Sequence, residues 1–176
     1  MDPSRQQTAL TVLVGARAVL ESGWLQHAER VVRTPDGRLR PRGRGVVVSA
    51  CLVGAVVEAA HRQDDDSATA GPALDALWLA LFDGRTTDAV GRVPSPVVRN
   101  LRARDLARWN DAPERTADDV LALLDRATRR VWTQQQAADA PAPVSARAAR
   151  PEEAGAGAPE WPRGRDDAAV PAGRPR

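Results

Sequence analysis

Leu106-Ala-Arg-Trp-Asn-Asp-Ala-Pro-Glu-Arg-Thr-Ala-Asp-Asp-Val-Leu-Ala-Leu-Leu-Asp-Arg-Ala127 is the stretch whose reading decides the fold. From Thr116 the apolar positions fall at Val120, Leu124, Ala127 and Val131, with Leu121 and Leu123 flanking, which is the spacing of a helix with one buried stripe. Thr116 stands where a side-chain oxygen can accept orphan N–H groups, and Asp118 and Asp119 favour the positive end of the helix dipole. Arg126, Arg129 and Arg130 are read as lying near the opposite end, where cations are favoured. Upstream, Pro113 cannot continue a helix arriving through Trp109, and Asn110 tolerates the left-handed conformation that ends one. Two helices therefore meet at a corner. Asn110 and Asp111 read first as a helix stop with caps for the next turn, and second as a polar pair held beside Trp109 for a ligand or partner.

Working outward, the 176 residues show no internal period and fit one domain with an appendage. Hydrophobic residues make up 43% but aromatics only 3%, so Ala, Val and Leu must fill the interior, which favours helices packed closely through small side chains. There is no Lys, Ile or Tyr, so all 25 basic residues are Arg. The pI of about 9.8 beside a net charge of only +2 reflects that gap: without Lys and Tyr few groups titrate between pH 7 and 12, and a small excess of Arg persists. One cysteine excludes an intramolecular disulfide and a cysteine-based zinc cluster, and it fits a reducing cytoplasm. Met1-Asp-Pro-Ser-Arg5 lacks the form of a secretory signal. The longest apolar run, Val46 to Ala60, contains Glu58 and falls short of the ~20 residues a membrane span needs.

The expected architecture is mainly α: a compact bundle of four to five helices over residues 5–133, a small β-hairpin, and a disordered Ala/Pro/Gly/Arg-rich tail over 134–176. Arg5 to Ser22 carries the first helical stripe, stopped at Gly23. Thr34-Pro35-Asp36-Gly37 suits a type I turn between short valine-bearing strands. Val46 to Arg62, apolar nearly all round, reads as a central helix capped by Ser49. Gln63 to Gly71 is a polar loop, Pro72 opens a helix with Leu74, Leu77, Trp78 and Leu81 as its stripe, and Thr86 to Pro96 is a connector. Ser95 is placed to cap the next segment, whose thin stripe from Val97 to Trp109 suggests two short pieces.

Candidate sites are few. Trp24, Gln26, Trp109, Asn110 and Asp111 lie in two loop regions flanking an otherwise apolar core, where binding tends to sit. Arg38, Arg40, Arg42 and Arg44 form the densest basic run, a phosphate-contacting arm or a solvated loop, with no Phe or Tyr interleaved to stack on bases. Cys51 reads as a small buried hydrophobe. As a nucleophile it would need a histidine, but His61 on the same helix is ~15 Å away by helical rise, which leaves His27 as base and Asn110 as orienter. Two histidines and one cysteine without ligand spacing make no metal site, and no cofactor motif occurs.

Gly23-Trp24-x-Gln26, Cys51-x-x-Gly54-Ala55 and Trp109-Asn110-Asp111-Ala-Pro-x-Arg115-Thr116, in this order and spacing, resemble a family of short actinobacterial proteins with no assigned biochemical role. The likeness covers residues 8 to 131 and implies a compact helical domain; it implies no reaction. The leading functional expectation is a small cytoplasmic binding or regulatory module whose partner is another protein or a small molecule. The alternative is a nucleic-acid-binding accessory protein using Arg38 to Arg44 together with Arg99, Arg102, Arg104 and Arg108. A thiol enzyme ranks third.

Overall fold

The computed structural model describes residues 3–41, 43–63, 67–82 and 93–140. At its centre is α1 (Pro3–Ser22), whose Ala9, Val12, Leu13, Ala16, Val19 and Leu20 are buried. That breadth of burial suits a helix with neighbours on several sides: α1 packs against α2 (Leu52–Gln63), α3 (Gly71–Leu81) and α5 (Ala117–Asp139). Small residues set the spacing. A Cβ on Gly15 of α1 would sit 3.1 Å from the Ala59 Cβ of α2, so these two helices meet almost backbone to backbone.

Val46 to Ala50 is not the start of a central helix but a strand, β3 (Val46–Ala50), and α2 begins only at Leu52. Three consecutive valines favour the pleated conformation, since a branched Cβ crowds the preceding turn of a helix. Periodicity alone cannot separate the two for an apolar run this short. Ser49 accordingly lies in the strand and caps nothing. The expected hairpin is present: β1 (Arg30–Arg33) pairs antiparallel with β2 (Leu39–Arg40), and Gly37 N donates to Thr34 O across the turn at 2.8 Å. β3 joins the other edge of β1, making a three-stranded sheet in the order β2-β1-β3. Its register slips between Val31↔Ser49 and Val32↔Val47, which makes Val48 a bulge. The Val48 carbonyl faces Gly23, where a Cβ would lie 2.6 Å from that oxygen, so Gly23 serves close approach as well as the end of α1.

Pro72 stands in the first turn of α3, as expected of it. α4 (Pro96–Asn110) is one helix of 15 residues rather than two pieces. Its inward stripe is Arg102, Leu106 and Asn110, spaced i, i+4, i+8, so two of its three members are polar and a search for apolar periodicity misses it. Ser95 caps α4 by accepting the Val98 N–H, and Thr116 caps α5 in a reciprocal box with Asp119. α5 buries Val120, Leu123, Leu124, Ala127 and Val131 against α1 and α3. It runs to Asp139, so Gln134 to Asp139 is helix rather than tail, and Arg126, Arg129 and Arg130 stand mid-helix, away from the dipole end assigned to them. The first of two compact units comprises residues 1–140. The expected tail from residue 141, and the expected connector 86–96 as far as residue 92, lie outside the described residues.

Candidate functional site

The last residue of α4 organises the corner. Asn110 is fully buried, and its side chain makes four hydrogen bonds, the full complement of a primary amide. Oδ1 accepts from Trp24 Nε1 at 2.9 Å and from Leu52 N at 3.1 Å; Nδ2 donates to Leu25 O at 3.2 Å and to Asp111 Oδ1 at 2.9 Å. Asn110 thus caps the start of α2, an element remote in sequence, while α5 is capped by Thr116. Asp111 caps no following turn either: its Oδ1 accepts the His27 N–H at 2.9 Å. Gln26 Nε2 donates to Asn110 O at 2.9 Å and Ala112 O at 2.8 Å, satisfying a carbonyl that the end of α4 leaves without a helical partner. The loop after α1 and the turn after α4 are therefore laced together through Trp24, Gln26, Asn110 and Asp111. Trp109, the fifth residue of the set, makes none of these bonds with its side chain: it packs half-buried against the core, and the Arg115 guanidinium stacks 4.2 Å from its ring centroid and donates to Trp109 O.

His27 has a φ of 59°, the left-handed region that an L-residue enters at a cost of about 1 kcal/mol. The N–H bond to Asp111 holds it there, and its ring, 74% exposed, places Nδ1 3.8 Å from Asp111 Oδ2.

Cys51 is the N-cap of α2, with Sγ accepting the Gly54 N–H at 3.3 Å and its carbonyl accepting Ala55 N at 2.8 Å. Burial pushes its thiol above the ordinary cysteine range, against the opposing pull of the Gly54 and Val53 N–H groups. Of the groups a thiol enzyme would use, the Asn110 amide serves Trp24 and Leu52, and the His27 ring lies beside Asp111, its Nδ1 3.8 Å from Oδ2. Among the described residues no group of three or more His, Cys, Asp or Glu could hold a metal.

Of the arginines in the nucleic-acid alternative, Arg38 pairs with Asp36 at 3.3 Å, Arg40 lies in β2, Arg44 is exposed, and Arg42 is outside the described residues. Arg99 and Arg102 turn inward, against the role given to them: both reach the buried Asp75 of α3, at 3.3 Å and 2.9 Å, and Arg102 is 5% exposed. Arg102 also stacks over Trp78, whose Nε1 donates to Asp105. Sequence reasoning missed this network. Its one signal was an aspartate set between Leu74 and Leu77 in an apolar stripe.

No helix among the described residues is long and apolar enough to cross a membrane. Neither the curated proteins nor the solved structures compared with the chain contain a match. A family model covers residues 4–130, which takes in the corner and the whole sheet, and on that match the chain belongs to the family of unknown function DUF6197.

Proposed function

We propose that the chain is a small cytoplasmic binding module that presents the corner between α1, α4 and α5 to a protein partner. The corner's Asn110 is saturated by internal bonds, so it serves as a frame, and the recognition groups are those the frame displays: the His27 ring, the second Asp111 oxygen and the Trp109–Arg115 stack. One observation carries the reading. A histidine occupies a left-handed position, exposed and tied down by Asp111, where glycine would fit without strain. Backbone strain retained at an exposed residue on a rigid scaffold is a mark of function, because stability alone would remove it. The lone cysteine supports a reducing compartment.

The test is His27→Gly in the full chain, with affinity capture from the native cell followed by mass spectrometry and nucleic-acid detection. The variant should unfold at the same temperature as the parent or slightly higher, while recovery of a specific protein falls at least tenfold. Undiminished recovery by the folded variant rules the reading out.

A further inference from the structure

α5 carries Arg126, Arg129 and Arg130 at i, i+3 and i+4, so three guanidiniums share one face of the helix. They line an open groove of about 210 Å³ whose opposite wall is Ala80 of α3. Like charges at this spacing oppose the helix that bears them. Several other arginines sit in ion pairs: Arg17 with Glu21 and Asp125, Arg30 and Arg62 with Glu58, and Arg99 and Arg102 with Asp75. Arg126 and Arg129, both exposed, have no such ion pair among the described residues.

We propose that this groove binds a phosphoryl group. Guanidinium presents paired N–H donors that match tetrahedral oxyanions, and several on one wall supply charge and direction together. The groove is open and smaller than the about 300–1,000 Å³ of sites that enclose drug-sized molecules, which suits a phosphoryl group held at its surface. Ala80 contributes a small side chain to the groove, and Arg130, half-buried and with a partner of its own, lines it beside the two exposed arginines. The site lies on α3 and α5 and is independent of the reading given to His27.

The experiment titrates the full chain with inorganic phosphate, and separately with pyrophosphate, at constant ionic strength set with sodium chloride, following the arginine Nε–H resonances by NMR. Saturable shifts at Arg126 and Arg129 are expected, tighter for pyrophosphate, with Arg38 unmoved. Arg129→Gln, an exposed substitution that leaves the core intact, should weaken binding at least tenfold, whereas Arg38→Gln should leave it unchanged. Shifts that follow chloride alone, that spread equally over all exposed arginines, or that persist undiminished in Arg129→Gln would each overturn the proposal.

Discussion

The Oδ1 of Asn110 accepts the backbone N–H of Leu52 at 3.1 Å across 58 residues, so the end of α4 caps the start of α2. The same oxygen takes the Trp24 indole N–H, and the amide nitrogen supplies Leu25 O and Asp111 Oδ1. Asn110→Ala removes all four bonds and leaves several buried partners unmatched, at ~1 kcal/mol or more each, so a loss of about 3–4 kcal/mol is expected. Asn110→Asp keeps the shape but sets an ionised carboxylate against two oxygens where Nδ2 had donated. It should be worse than Ala at pH 7 and recover part of the difference as the pH falls toward 4, because a protonated carboxyl regains one donor. Urea midpoints of both variants across pH 4–7 check this; an Ala variant within 1 kcal/mol of the parent would show the latch to be incidental.

Gly54 and Gly71 both sit in helices, where Ala is ordinarily better by about 1 kcal/mol. At Gly54 that sign should reverse. A Cβ there would lie 2.1 Å from the Glu29 carbonyl oxygen, a backbone atom already accepting Cys51 N at 3.0 Å. Relief would require moving the segment that feeds β1, so Gly54→Ala is expected to cost about 3 kcal/mol or to block folding. At Gly71 the Cβ would meet the Arg99 guanidinium at 2.9 Å, the far end of a flexible chain that can swing aside. Gly71→Ala should therefore change stability by less than about 1 kcal/mol. Thermal unfolding of the two variants side by side tests the contrast; equal effects would refute it.

These two residues also show what could be read before the fold was known. Cys51, Gly54 and Ala55 were legible as a signature, but what Gly54 faces was not: a carbonyl of the segment before β1 fills the space where a side chain would stand. Thr116, Asp119 and the stripe from Val120 to Val131 were legible because their signals are local, within one or two turns of helix. Asn110 was legible as a stop; that it closes α2 was not, since no spacing rule relates it to Leu52. Val46 to Ala50 misled because a buried strand and a buried helix carry the same apolar run. α4 misled because its inward stripe uses an arginine and an asparagine, whose burial depends on Asp75, Trp24 and Leu52 arriving from elsewhere. The structure brings Trp24, Gln26, Asn110 and Asp111 of the sequence's candidate set together, while the sequence held no trace of which of their atoms bond one another.

Asp119 provides a pH test at the start of α5. Its carboxyl is held below the ordinary aspartate range, first by the Thr116 hydroxyl, then by the Thr116 N–H, with Arg115 and Arg126 assisting. A folded value below the unfolded one means stabilisation present above the unfolded value and lost as the pH falls through the folded one. Asp119→Asn should therefore be less stable than the parent at pH 6–7, and the two stability curves should converge below about pH 3. A gap that stays constant with pH would place the contribution of Asp119 in shape rather than charge.

Cys51 titrates in an unusually clear window. With no Lys or Tyr in the chain, it is the only side chain that ordinarily ionises between pH 8 and 11. Burial raises its folded value, so the stability it supports is intact below the ordinary cysteine value and is lost as the pH rises through the folded one. Thiolate absorbance at 240 nm should lag in the native protein and appear at lower pH in urea. The urea midpoint of the parent should fall between pH 9 and 11, while that of Cys51→Ser, whose hydroxyl can take the same Gly54 N–H, should stay nearly flat. Alkylation at pH 8 should proceed only at the rate at which the start of α2 opens, and substitutions that weaken the Asn110 cap on Leu52 should speed it, because the same latch covers the thiol. Rapid labelling of the native parent, indifferent to Asn110, would mean that the thiol is accessible without any opening and that the corner does not hold the start of α2 closed.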